Sequence, residues 1–87
     1  MRPPPRTRAG TEAALTEAWV EILGRKGAPH DDFYSLGGNS FRAVQLITAV
    51  EPVLGIEFPI DLLFSDGSLT TLVDACWQRR RAARADD

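Results

Sequence analysis

One cysteine (Cys76), one histidine (His30) and one methionine are all that the 87 residues contain of those types. A lone cysteine excludes an internal disulfide and is too little for a cysteine-based metal site. No Gly-x-x-x-x-Gly-Lys loop and no metal-ligand spacing occurs. No apolar run approaches the length of a membrane span, and no signal peptide precedes the first helical pattern, so the expected setting is the cytoplasm, with no membrane contact. No internal repeat is visible. What remains is ordinary: hydrophobic residues make up 44% and charged residues 25% of the chain, the balance of a folded domain rather than a disordered one. At this length one small core is all the chain can build.

The net charge of -2 hides an uneven distribution. From Glu12 to Asp74 ten acids face three bases (Arg25, Lys26, Arg42), while three arginines lie in residues 2–8 and four in residues 79–84. An acidic body argues against nucleic acid as the main ligand and for partners with basic surfaces.

Residues 1–10 carry three consecutive prolines and three arginines with almost nothing apolar. They are expected to be a disordered tail or linker. Thr11 is placed to cap a first helix in which Leu15, Trp19, Ile22 and Leu23 recur at helical spacing, with Gly24 as a left-handed stop. Residues 24–39 then form a long connection, and long ordered loops are usually functional. Phe33, Tyr34 and Leu36 are expected to pin it to the bundle.

A second helix begins at Ser40. At 100° per residue, Ala43, Leu46, Ile47, Val50 and Leu54 fall on one arc with Val44 at its edge, which defines the buried face. Phe41, Gln45, Thr48 and Ala49 fall opposite, with Arg42 beside them. Pro52 removes a backbone donor and disfavours helical geometry at Glu51, so a kink or an end is expected there, with Gly55 closing any continuation. Ile56 and Phe58 flank Glu57 in a short extended piece, and Pro59 opens a brief third helix through Ile60, Leu63 and Phe64. Asp66-Gly67 turns the chain. Ser68 caps the last helix, where Leu69, Leu72, Val73, Cys76 and Trp77 make a stripe and the late arginines complement the dipole. The fold class is therefore all-α: a four-helix bundle with three longer helices, one short third helix and a long first loop.

The loop ends in Leu36-Gly37-Gly38-Asn39-Ser40, directly before the second helix. A hydroxyl at the positively polarised start of a helix, preceded by two glycines, is a seat for a phosphate. Phe41 next to it is an exposed aromatic and a candidate docking residue.

Asp31-Asp32-Phe33-Tyr34-Ser35-Leu36-Gly37-Gly38-Asn39-Ser40 resembles the attachment motif of peptidyl carrier proteins, the thiolation domains of nonribosomal peptide synthetases, which share the acyl carrier protein type of bundle. The likeness extends from about Thr11 to Trp77. It implies that a phosphopantetheinyl transferase, with magnesium, transfers 4'-phosphopantetheine from coenzyme A to Ser40, with Gly37, Gly38 and Asn39 flanking the attachment point. The arm's thiol then carries an aminoacyl or acyl thioester, and the carrier catalyses nothing itself. The implied partners are the transferase, an adenylation enzyme or domain, and condensation, thioesterase or tailoring enzymes, met by a monomer through a face that includes Phe41, Arg42, Val44 and Gln45. The family more often has histidine or aspartate at the position of Asn39, leucine at Phe41 and aspartate at Ser35. The double glycine favours the peptide-synthetase type over polyketide acyl carriers. The domain organisation expected is residues 1–10 as tail, 11–80 as carrier domain and 81–87 as helix end and C-terminal tail.

Three other readings compete. Ser40 can be a helix cap and nothing more, a role worth about 1 kcal/mol. A serine hydrolase using Ser40, His30 and Asp31 or Asp32 needs a sheltered pocket and a Gly-x-Ser-x-Gly turn, but Arg42 occupies the final position. An unmodified helical interaction module would have much the same surface. Cys76, on an apolar stripe, is read as a buried small hydrophobe.

Overall fold

A computed structural model describes residues 4–85, and side chains as far as residue 83. Four helices follow in order: α1 (Arg8–Leu23), α2 (Ser40–Leu54), α3 (Ile60–Ser65) and α4 (Leu69–Ala85). Among the described residues there is no strand, only an isolated bridge between Asp32 and Ser68. The all-α class, the short third helix and the long first loop are as expected.

α1 starts earlier than the apolar periodicity implies. Its cap is Thr7, whose Oγ1 accepts from Gly10 N at 3.0 Å, so Arg8, Ala9 and Gly10 are helical and not tail. Thr11 lies inside the helix on the stripe Thr11, Leu15, Trp19, Leu23, fully buried, and among the described residues its hydroxyl has no partner. The three residues before Thr11 carry no apolar signal, which is why periodicity misplaced the start by one turn. Residues 1–3 of the expected tail lie outside the described residues. Pro4 and Pro5 are half-buried, and the Pro5 carbonyl accepts from Arg80 Nε at 3.1 Å.

α2 does not end at Glu51. It runs through Pro52 to Leu54 and is closed by Gly55 at φ 65°, whose N–H reaches Glu51 O at 2.8 Å. Pro52 sits in the last turn on the exposed side, where it removes a single donor and water can reach the bypassed carbonyl. Ala43, Leu46, Val50 and Leu54 are buried as the helical arc predicts, whereas Val44 stands 62% exposed. α1 packs against both α2 and α4. The core they enclose includes Trp19, Phe33, Leu46, Leu54, Leu63 and Leu72. Burial of side chains of this size, at roughly 1.5–3 kcal/mol each, is the principal stabilising term.

Candidate functional site around Ser40

The loop before α2 is built around Phe33 and Asp32. Phe33 is fully buried and meets the Trp19 ring edge-on, with centroids 5.4 Å apart. Trp19 in turn donates from Nε1 to Lys26 O at 3.1 Å, so a single indole holds the start and the middle of the loop to the core. Asp32 fixes the turn: Oδ2 accepts from Tyr34 N at 2.9 Å, Oδ1 from Gly67 N at 3.2 Å, and its carbonyl accepts from Ser35 Oγ at 2.8 Å. Phe33 N donates to Gly67 O at 2.8 Å, which joins the loop to the start of α4. Short polar side chains that bind backbone a few residues on are how such turns hold their shape. The apolar pins are visible in the sequence pattern; the turn bonds of Asp32 are not.

The two glycines have separate structural reasons. Gly37 adopts φ 101°, in the region that strongly favours glycine. Gly38 lies against Phe33: a Cβ there would stand 2.4 Å from Cδ2 and 2.6 Å from the carbonyl oxygen of Phe33. Gly38 N donates to that same oxygen at 3.0 Å.

The cap of α2 is Asn39 and not Ser40. Asn39 is extended (φ -153°, ψ 179°), and its Oδ1 accepts from Arg42 N at 2.8 Å. Ser40 is thereby the first residue within the helix. It is exposed, and among the described residues none pairs with its hydroxyl. The reading of Ser40 as only a cap is corrected: its neighbour takes that role and leaves the hydroxyl available at the positive end of the dipole.

Around it, Phe41 is 72% exposed and Val44 62%, and Gln45 is exposed as well. Arg42 differs. It is half-buried, and Nη1 donates to Gly37 O at 2.7 Å, so the guanidinium is engaged with the loop. The hydrolase arrangement is not assembled. Ser40 bonds neither His30 nor an aspartate, Asp31 accepts from Ala28 N at 2.9 Å, and both oxygens of Asp32 are engaged. Among the described residues no group of histidine, cysteine, aspartate and glutamate is arranged to hold a metal.

Comparison with protein families matches residues 13–76 to the family described as phosphopantetheine attachment site. The chain belongs to the phosphopantetheine-attachment family. Members of this family carry a covalently attached 4'-phosphopantetheine. An exposed, unpaired hydroxyl on the first turn of a helix, with an ordered loop behind it, fits the attachment of such a group. Among known proteins the chain resembles surfactin synthase subunit 3 of Bacillus subtilis (strain 168), with 43% identity over 54 residues, which is 61% of this chain and 4% of that protein. It resembles surfactin synthase subunit 1 of the same organism at 33% over 79 residues, 90% of this chain and 2% of the relative. Tyrocidine synthase 3 of Brevibacillus parabrevis matches at 36% over 63 residues, 71% of this chain and 1% of that protein. The chain thus spans only a few hundredths of the length of the curated relatives it matches. No solved structure matches. No helix among the described residues is long and apolar enough to cross a membrane.

Proposed function

We propose that Ser40 carries the 4'-phosphopantetheine and that the chain is a peptidyl carrier without catalytic activity of its own. The observation that carries this reading is the exposed Ser40 hydroxyl, left unpaired on the first turn of α2 because Asn39 performs the capping. In this reading a phosphopantetheinyl transferase arms Ser40, and an adenylation enzyme loads the arm with an aminoacyl or acyl group. Condensation, thioesterase or tailoring enzymes then draw on it, in the cytoplasm. The relatives, which are surfactin and tyrocidine synthases, support nonribosomal peptide assembly as the setting over a polyketide pathway.

The bound group supplies a terminal thiol on which cargo is held as a thioester. The chain's own residues do the rest. Ser40 Oγ forms the ester to phosphate, and amides of the first turn that Asn39 leaves unpaired favour the resulting anion by about 0.3–1 kcal/mol. Gly37 and Gly38 let the loop turn tightly behind the site. Phe41, Val44 and Gln45 form the exposed face offered to partner enzymes, and Arg42 holds the loop by its bond to Gly37 O.

The test is intact mass after incubation with coenzyme A, magnesium and a broad-specificity phosphopantetheinyl transferase, beside a Ser40→Ala variant shown by circular dichroism to be folded. One added phosphopantetheine in the wild type alone is the expected result. No gain in a folded wild type, with the transferase active on a control carrier, overturns the reading and leaves an unmodified interaction module.

A further inference from the structure

Composition alone predicts a disordered tail or linker for residues 1–10, because prolines and arginines bury too little to fold on their own. The structure instead seats part of it. Pro5 O accepts from Arg80 Nε at 3.1 Å, in the second half of α4. Gly10, on the first turn of α1, lies so close beneath Pro5 that an added Cβ would come within 2.9 Å of Pro5 Cβ. Gly55, the cap of α2, presents an open surface where an added Cβ would stand 3.6 Å from Pro4 Cγ. Pro5 also borders a groove of about 530 Å³ whose walls include Ala13, Ala14 and Val53. Just beyond, Arg8 pairs with Asp74 of α4 and with Glu12, which ties the start of α1 down at the same end.

These contacts share a chemistry. A proline segment has no N–H groups to satisfy, has φ fixed in advance and loses little freedom on docking. Its carbonyls remain strong acceptors, so a surface that takes one needs a donor such as a guanidinium and places where the rings can approach closely. Gly10 in α1, Gly55 at the C-cap of α2 and Arg80 in α4 supply both. We propose that this surface is a seat for the chain's own proline-rich segment, and that residues 4–10 belong to the rigid unit.

The location matters. α2 runs 15 residues from Ser40 to Leu54, so Gly55 lies about 22 Å along the axis from Ser40. The seat is at the end of the bundle remote from the attachment point. A segment clasped there leaves the face around Phe41 and Val44 clear. The inference is independent of the carrier reading, since it needs no modification of Ser40.

Backbone ¹⁵N relaxation of the full chain tests it. An order parameter for Arg6 near 0.85, matching α1, is expected, and it falls below about 0.6 in Arg80→Ala and in Gly10→Ala. The second variant guards against unfolding, because alanine in a helix is otherwise favourable. Tail-like values in the wild type, or values unmoved by both substitutions, overturn the proposal. Loading of Ser40 is scored separately by mass and is expected to be unchanged in both variants.

Discussion

Replacing Gly38 by alanine separates two explanations of the double glycine before Ser40. In one, the glycine keeps bulk away from an approaching transferase. In the other, it is there because Phe33 fills the space. The geometry favours the second: the new methyl would meet Phe33 Cδ2 at 2.4 Å, Cε2 at 2.5 Å and the carbonyl oxygen at 2.6 Å. Phe33 cannot retreat, being fully buried with ring neighbours Trp19 and Tyr34 each 5.4 Å away. Its backbone is also held, since Phe33 N donates to Gly67 O and Phe33 O accepts from Gly38 N. Forcing a methyl into such packing costs roughly 1–3 kcal/mol, and distorting the bond from Gly38 N adds about 1 kcal/mol. A domain of this size has a total stability on the order of 4–13 kcal/mol. At roughly 4–8 °C per kcal/mol, Tm should fall by about 10 °C or more. The assay is thermal unfolding followed by far-UV circular dichroism, with the rate of phosphopantetheinylation measured well below the variant's Tm. A Tm within about 2 °C of wild type would refute the packing argument. If loading slowed at the same time, the access explanation would stand in its place.

Three other perturbations test neighbouring parts of the argument. Asn39→Ala removes the cap of α2 and should lower stability by about 1 kcal/mol while leaving Ser40 able to accept the arm; an unchanged chemical-denaturation midpoint would mean that Ser40 takes over the capping. Thr11→Val replaces a buried hydroxyl that has no partner among the described residues with a methyl, so it should raise stability by about 1 kcal/mol, and a lower Tm would refute this. Cys76 is fully buried, and burial pushes its thiol up to about 12 from 9.0, only partly opposed by Arg79. The native protein should therefore resist thiol reagents at pH 8, so the thiol of an attached arm can be counted alone. The sign of the linkage follows: above pH 9 the unfolded chain gives up this proton and the native state keeps it, so stability falls with rising pH by up to about 1.4 kcal/mol per unit. Cys76→Ala should flatten that fall between pH 9 and 10, and identical slopes in urea titrations of the two proteins would contradict it.

How much of this was legible in the sequence depended on the kind of signal. Apolar periodicity placed the stripes of α2 and α4 because burial selects residue type directly, and Leu46, Val50, Leu72 and Cys76 lie where the period puts them. Gly24 and Gly55 were legible as stops because left-handed backbone strongly favours one residue type. Starts were harder. Thr7 and Thr11 are both eligible caps, and only the packing of Thr11 beside Leu15 on the buried stripe decides between them. Local propensity at Pro52 implies a kink or an end near Glu51, with Gly55 closing any continuation; on an exposed last turn it costs one donor and the helix continues to that Gly55. The seat for Pro4 and Pro5 brings together residues 75 positions apart, which no local pattern reveals.

The same ambiguity of starts lies at the centre of the functional site, where Asn39 and Ser40 are adjacent and both are good caps. The backbone resolves it. Asn39 is extended and Ser40 helical, so the amide oxygen bonds Arg42 N and the hydroxyl is displaced by one residue onto the first turn. That offset suits the proposed chemistry, because a serine engaged in capping has one of its two lone pairs already committed to a backbone amide. It also gives Asn39 a physical role. Asparagine and aspartate both present a short side-chain acceptor to the first turn, so a change between them keeps the cap, while alanine would remove that acceptor.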